Sequence, residues 1–180
     1  MSTVAVSEIF NSAGTKLLLP SAGSVIQVVT ARTDARASYA SGARVTPLDI
    51  DITPTSANNI ILVEWMINGH VDNGSAINVL VNGNPYTSDF PLAGFSLNGL
   101  PGYGSVQYGY TTPNYDGSNN SVLQNAVVLF PLRVENTNKL NLGIQFFGPA
   151  FYLNRTETGT TVDAFESAVS TAVAYEIVGN

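Results

Sequence analysis

The chain alternates apolar and polar residues in short runs, which is the pattern of half-buried β-strands. The stretch VTPLDIDITP is the clearest case, because Leu48, Ile50 and Ile52 fall on one side while Asp49 and Asp51 fall on the other. Further runs with this period are SVIQVVTA, LNLGIQFF and VSTAVAYEIV. A helical period of useful length is not found, so the sequence predicts an all-β protein.

The most apolar run is IILVEWMING at residues 60–69. It carries apolar residues on both sides, which predicts a central strand buried on both faces. Asn-Gly pairs at residues 73–74 and 82–83 are typical of tight hairpin turns. Short strands separated by turn signals predict a jelly-roll-like antiparallel β-sandwich over residues 24–180.

Residues 1–23 differ from the rest of the chain. TVAVSEIF and KLLL are two short apolar pieces that NSAGT separates as a turn. We interpret them either as an N-terminal attachment arm or as the first strand of the fold. The apolar side chains with which such an arm would attach are those of Val4, Val6, Ile9, Phe10, Leu17 and Leu18.

Residues 85–121 form a long insertion rich in Gly, Pro, Asn, Ser and Tyr. Tyrosine offers a large and stiff contact with a polar tip, and Ser, Gly and Asn offer adaptable hydrogen bonds. The segment is therefore a candidate contact loop for a sugar or a protein. The alternative is that its tyrosines pack the loop down or seal a subunit interface. The tyrosines concerned are Tyr103, Tyr108, Tyr110 and Tyr115.

Composition narrows the classes of partner. Charged residues make up 11% of the chain, against roughly 25% in an average soluble domain. Neutral polar groups cost less to desolvate than charges, so such a surface suits burial against neighbouring subunits. A net charge of −6 argues against nucleic-acid binding and against docking on anionic membranes. We expect no membrane insertion, no signal peptide and, without cysteine, no disulfide.

Candidate catalytic groups are few. His70 is interpreted as a turn histidine, since no nucleophile motif such as G-x-S-x-G accompanies it. Asp49 and Asp51 are interpreted as a solvated strand face rather than a cation site. Asp163 and Glu166 would serve glycoside hydrolysis only if they converged across a cleft. The sequence thus predicts no catalytic residue, no metal and no cofactor.

The order of several segments resembles a known group of proteins. SVIQVV is followed by ITPTSANNIILV, and YLNRT later precedes STAVAYEI. This succession is similar to that of small β-structured structural proteins of marine and cyanobacterial tailed phages, which occur as capsid decoration proteins, capsid fibres and fibre tips. Their usual pattern is ILQVV, ITPTSSSNKILV and YLNRS with STITLMEI. The present chain departs from it at Ala57, Asn58, Ile60 and Thr156, and residues 85–121 have no counterpart.

The resemblance implies a jelly-roll-like fold, a homotrimer and no enzymatic activity. It implies a virion protein that is assembled in the host bacterial cytoplasm and contacts the capsid or other virion proteins. Asn154 and Arg155 would have structural roles or lie at subunit contacts. A tail-fibre tip that recognises a host surface glycan is the alternative reading, and a lectin or carbohydrate-active enzyme unrelated to phages is the third.

Overall fold

The computed structural model describes residues 9–10, 16–18, 21–71, 75–86, 107–110, 123–148, 150–156 and 167–179. Within these residues there are thirteen β-strands and one 3-10 turn. No helix in this part of the chain is long and apolar enough to cross a membrane. The prediction of an all-β protein is confirmed.

The first sheet has β6 near its centre. β10 pairs with one edge of β6, and β13 and then β12 pair with the other edge. β3 pairs with the far edge of β13, and β4 with the far edge of β12. All these pairings are antiparallel. The strands are β3 (Val25–Thr33), β4 (Ala37–Tyr39), β6 (Ile60–Val71), β10 (Gln124–Arg133), β12 (Phe151–Leu153) and β13 (Ser170–Ile177).

The second sheet has the order β5–β11–β7, and both β8 and β9 pair with the far edge of β7. It comprises β5 (Ile50–Ile52), β7 (Ser75–Val81), β8 (Asn84–Pro85), β9 (Gln107–Tyr110) and β11 (Leu140–Phe147). A separate two-stranded sheet pairs β1 (Ile9–Phe10) with β2 (Lys16–Leu18).

The strand order is that of a jelly roll. Four long strands form the sheet β3–β13–β6–β10, and four more form the sheet β5–β11–β7–β9. Among these eight strands, each lies in the other sheet from the strand before it, with one exception. β7 and β9 lie in the same sheet and pair with each other. An eight-stranded double sheet wound in this way is the jelly roll. The predicted sandwich is therefore present.

The core lies between the two sheets. Leu48, Ile50 and Ile52 are all fully buried, as their alternation predicts. The strand is shorter than expected, because Pro47 lies in a 3-10 turn (Thr46–Leu48) that precedes β5. The Trp65 indole nitrogen donates to the Leu48 carbonyl oxygen at 3.0 Å, which fastens this turn to the opposite sheet.

Two strands of the first sheet differ from the simplest reading of their pattern. β6 buries Ile61, Val63 and Trp65 completely, but Met66 on its other face is 39% exposed. The prediction that β6 is buried on both faces is therefore wrong for this chain by itself. β13 turns its small residues, Ala172 and Ala174, into the core, and its larger apolar residues face outward.

The region predicted as a long insertion contains regular structure. β8 and β9 both fall within residues 84–110. Asn82 and Gly83 have φ angles of 52° and 80°, which suit the two central positions of a type I′ hairpin turn. The polar segment that follows β3 includes β4, which pairs with β12.

Candidate functional site

The sequence-predicted contact residues fall in different parts of the molecule. Ile9 and Phe10 lie in β1, and Leu17 and Leu18 in β2; Ile9 is the register partner of Leu18. Tyr108 and Tyr110 lie in β9, opposite Ile77 and Ser75 of β7. The remaining candidates lie outside the described residues, namely Val4, Val6, Tyr103, Tyr115, Asp163 and Glu166.

Asn154 is the centre of a buried polar network. It follows β12 in the left-handed region, with φ of 55°, and its side chain is fully buried. Its amide nitrogen donates to the carbonyl oxygens of Thr33 at 2.9 Å and of Ala35 at 3.1 Å. Its amide oxygen accepts from the Ser170 hydroxyl at 2.6 Å. One side chain therefore links the end of β3, the end of β12 and the start of β13.

The Ser170 hydroxyl also accepts the backbone N–H of Asn68 at 2.9 Å. The backbone N–H of Asn154 donates to the Asn68 carbonyl oxygen at 2.8 Å. β6 is thus joined to the same network, so four strands of the first sheet meet at Asn154. Asparagine tolerates positive φ and offers both a donor and an acceptor, which suits it to this position.

Arg155 lies on the surface beside this network. Its guanidinium donates to the Ser38 hydroxyl at 2.5 Å and stacks over the Tyr152 ring, 4.9 Å from its centroid. These contacts connect β12 with β4. In this structure, Arg155 acts within its own chain, and a contact with a neighbouring subunit stays a prediction.

A second buried network surrounds Glu176, whose exposure is 0%. One carboxylate oxygen accepts the Thr55 N–H at 2.7 Å, the Thr55 hydroxyl at 2.8 Å and the Asn59 amide at 2.7 Å. The other accepts at 3.0 Å from the Gln27 amide, oriented with its nitrogen inward. The carboxylate therefore fixes the turn between β5 and β6 against β3 and β13.

Sequence reasoning missed Glu176 as a key residue. The signal was present, because alternation places Glu176 on the same side as Ala172 and Ala174, the inward side of β13. A carboxylate at an inward strand position needs donors from elsewhere in the chain. Those donors are Thr55 and Asn59, which lie in the segment TPTSANN.

A shallow depression of about 360 Å³ lies beside this turn. Ile26, Asn58 and Gly179 are among the residues that line it. Glu176 does not line it, so a molecule bound in the depression would not contact the buried carboxylate. The chemistry of Glu176 in this arrangement is that of a structural acceptor.

A charged cluster braces the outside of the second sheet. The Arg44 Nε donates to Asp49 Oδ1 at 3.0 Å, and its Nη2 donates to the Asn141 side-chain oxygen. Asn141 donates to Asp51 at 2.8 Å, and Lys139 pairs with Asp51 at 2.8 Å. Both carboxylates therefore already have a cationic neighbour.

The two carboxylates of this cluster titrate differently. Burial raises the pKa of Asp49, although its bond to Arg44 opposes the change. The hydrogen bond from Lys139 lowers the pKa of Asp51, and Asn141 adds to this effect. Asp51 is exposed, as its interpretation as part of a solvated face requires, whereas Asp49 is half-buried. Within the described residues no group of three or more His, Asp or Glu side chains could hold a metal ion.

His70 does not lie in a turn. It is part of β6, is 1% exposed, and its ring lies 6.1 Å from that of Tyr152, its register partner on β12. The interpretation as a turn histidine is therefore wrong. β6 continues past the Asn68-Gly69 pair and pairs there with β12, and Gly69 packs closely against Phe151 and Tyr152, where a side chain would not fit.

Comparisons with known proteins add little to these observations. No protein-family model matches the chain, and no curated protein sequence matches it. A solved structure of a mutant VP2 protein of infectious bursal disease virus, from derived T=1 particles, is similar over 98% of this chain with 12% identity and a TM-score of 0.36. The chain spans 42% of that protein's length. So distant a likeness says nothing about function, and the jelly-roll assignment rests on the strand order.

Proposed function

We propose that this chain is a non-enzymatic structural protein of a phage virion, a capsid decoration or protruding protein that assembles as a symmetric oligomer, most simply a homotrimer. It would act in the virion after assembly in the host bacterial cytoplasm. Its partners would be copies of itself and the capsid or another virion protein.

The observation that carries this proposal is the meeting of all the resembling segments in one substructure. The segment SVIQVV supplies β3, ITPTSANNIILV supplies the turn and β6, and STAVAYEI supplies β13. These strands are direct neighbours in the first sheet. The similarity therefore concerns a contiguous folding unit rather than scattered short motifs.

The polar residues of these segments also depend on one another. Glu176 accepts hydrogen bonds from the turn segment, and Asn154 of YLNR bonds to β3 and β13. Buried polar groups of this kind need every partner in place. Their combined occurrence is thus a more specific signature than any single segment, which supports kinship with the phage structural proteins that the sequence resembles.

The alternative is a tail-fibre or receptor-binding tip. Tyr108 and Tyr110 lie in β9, which pairs with β7 along four residues. A contact residue on a paired strand is held more rigidly than one on a free loop. This arrangement would suit recognition of a host surface glycan through the tyrosine-rich segment.

The experiment that tests the proposal is the copy number of this chain in purified particles. Quantitative mass spectrometry against the major capsid protein would give it. A number comparable to that of the capsid protein, or a simple fraction set by icosahedral symmetry, is the expected result. A number that matches the few tail appendages would favour the receptor-binding tip, and absence from the particles would refute both.

The attachment arm needs its own test. We expect that deletion of residues 1–19 leaves a folded sandwich that no longer binds particles lacking the protein. The full-length chain, added to the same particles, is the control. Undiminished binding by the shortened chain would refute the role of Val4, Val6, Ile9, Phe10, Leu17 and Leu18 in attachment.

A further inference from the structure

The first sheet has a second apolar face, on the side away from the core. We name it the outer face and define it by the sixteen outward positions of β10, β6, β13 and β3, which the strand register arranges in four rows. Eleven of the sixteen are apolar or aromatic: Val25, Val28, Ile60, Leu62, Met66, Val127, Leu129, Pro131, Val173, Tyr175 and Ile177. The other five are Thr30, Arg32, Glu64, Arg133 and Thr171.

The described residues of the chain do not cover the outer face. Val127 is 55% exposed, Val28 is 54% exposed and Met66 is 39% exposed. Five of the seven large hydrophobic residues that are exposed in the described part of the chain lie on this face. Monomeric proteins rarely expose a contiguous apolar patch of this kind, so it marks an interaction site.

The shape of the face restricts what can cover it. It is a sheet surface four strands wide. Such a sheet surface can pack on another sheet, at a distance of roughly 10 Å with interdigitated side chains. The strand spacing and the rise per residue give an area of roughly 500 to 600 Å² for each copy. Two such faces bury roughly 1,000 to 1,200 Å², which is about the lower limit for a stable interface.

The charges of the face fit a second copy. Glu64, Arg32 and Arg133 are its charged members, and within the described residues none of the three forms an ion pair. From the register, the Cα atom of Glu64 is roughly 12 Å from that of Arg32 and roughly 14 Å from that of Arg133. A face that carries both positive and negative charges can pair with the same face of a second copy. A partner of net negative charge would instead favour a face with arginine and without glutamate.

We infer that the outer face is buried against the same face of further copies of this chain in a closed symmetric assembly. In that arrangement the apolar outward residues of β6 and β13 lie near the symmetry axis, and Glu64 of one copy lies within reach of an arginine of the next. Both faces of β6 are then buried, which accounts for the apolar residues on both of its sides. The inference does not depend on a location in the virion.

The first test is the mass of the purified full-length chain by light scattering, over a range of concentrations. The expected mass is two or three times the 19.0 kDa of the chain. Val127→Lys and Val28→Lys are the test variants, since both side chains are more than half exposed and lie on opposite edges of the face. We expect each to weaken self-association at least tenfold while the fluorescence of Trp65 remains native.

The matched control is Phe147→Lys. Phe147 is 38% exposed, but it lies on β11 in the other sheet. This variant should associate like the wild type. A monomeric wild type, or an assembly that Phe147→Lys disrupts and the two outer-face variants do not, would overturn the inference.

A second test does not require disruption of the assembly. The chain has no cysteine, so Val173→Cys places a single thiol near the middle of the outer face. A short bismaleimide should link copies of this variant within minutes, and Phe147→Cys should stay unlinked under the same conditions. An assembly in which Phe147→Cys is linked and Val173→Cys is not would assign the interface to the other sheet.

Discussion

Removal of the Glu176 carboxylate should destabilise the protein strongly. In Glu176→Ala, the Thr55 N–H and the Asn59 amide lose a buried acceptor that lies 2.7 Å from each. An unsatisfied buried donor costs about 1 to 3 kcal/mol, and bonds to a charged acceptor are at the upper end. The Asn59 amide is buried, whereas Thr55 is exposed and water can replace part of what it loses, so we expect a loss of about 2 to 4 kcal/mol in the free energy of unfolding. That is a large share of the roughly 5 to 15 kcal/mol typical of a domain.

Trp65 provides the assay. It is the single tryptophan of the chain and is completely buried between the sheets. Its fluorescence should therefore report unfolding in urea. With a denaturant slope of about 2 kcal/mol per molar, the expected loss lowers the midpoint by roughly 1 to 2 M. Glu176→Gln keeps one acceptor oxygen and should fall between Glu176→Ala and the wild type.

Glu135→Ala is the matched control. Glu135 is an exposed glutamate in the turn between β10 and β11, so its removal should change the free energy of unfolding by no more than about 0.5 kcal/mol. If Glu176→Ala unfolds at the same urea concentration as this control, the carboxylate does not hold the turn, and the reasoning from its hydrogen bonds is refuted.

Three other perturbations test separate parts of the structure. Asn154→Gly keeps the positive φ but removes three side-chain hydrogen bonds, so we expect a loss of about 2 to 4 kcal/mol in urea unfolding; an unchanged midpoint would count against the network. Gly69→Ala places a Cβ 2.4 Å from the Tyr152 carbonyl oxygen; we expect a lower melting temperature by calorimetry, with Gly42→Ala, where the space is open, losing less. Lys139 lowers the pKa of Asp51, so this pairing adds stability above the ordinary carboxyl pKa and loses it as the pH falls through the lowered value. Asp51→Asn should therefore lose less stability than the wild type between pH 7 and pH 3, and an equal loss in both would contradict this.

Much of the fold could be predicted from the sequence because its strands show a local alternation of apolar and polar residues. Leu48, Ile50 and Ile52 face the core as their period requires. The β9 strand could not be recognised in this way, since its sequence QYGY gains strand structure only by pairing with β7, about thirty residues earlier in the chain. Propensity for strand depends strongly on such context.

The candidate site was predicted less well. Asn154 and Arg155 were selected by resemblance, and the structure gives each of them hydrogen-bonding partners. Glu176 was passed over because its partners, Thr55 and Asn59, lie more than a hundred residues away. The outer face could not be predicted for another reason: alternation separates the two sides of β13 but does not say which side faces the core. The core side of β13 carries the small residues Ala172 and Ala174, so the larger apolar side chains of this strand do not mark its inward side.

The position of β13 determines when the protein can fold during its synthesis. Ser170 pairs with Thr33, and β13 lies between β3 and β6. On the ribosome, therefore, β3 and the edge of β6 that faces β13 must wait unpaired until residue 177 has emerged. Such long-range pairing is slow, and the waiting strands expose backbone and apolar side chains that can associate with other nascent chains. Completion of the first sheet thus comes late in synthesis, and a chain interrupted before β13 would be prone to aggregation rather than partly folded.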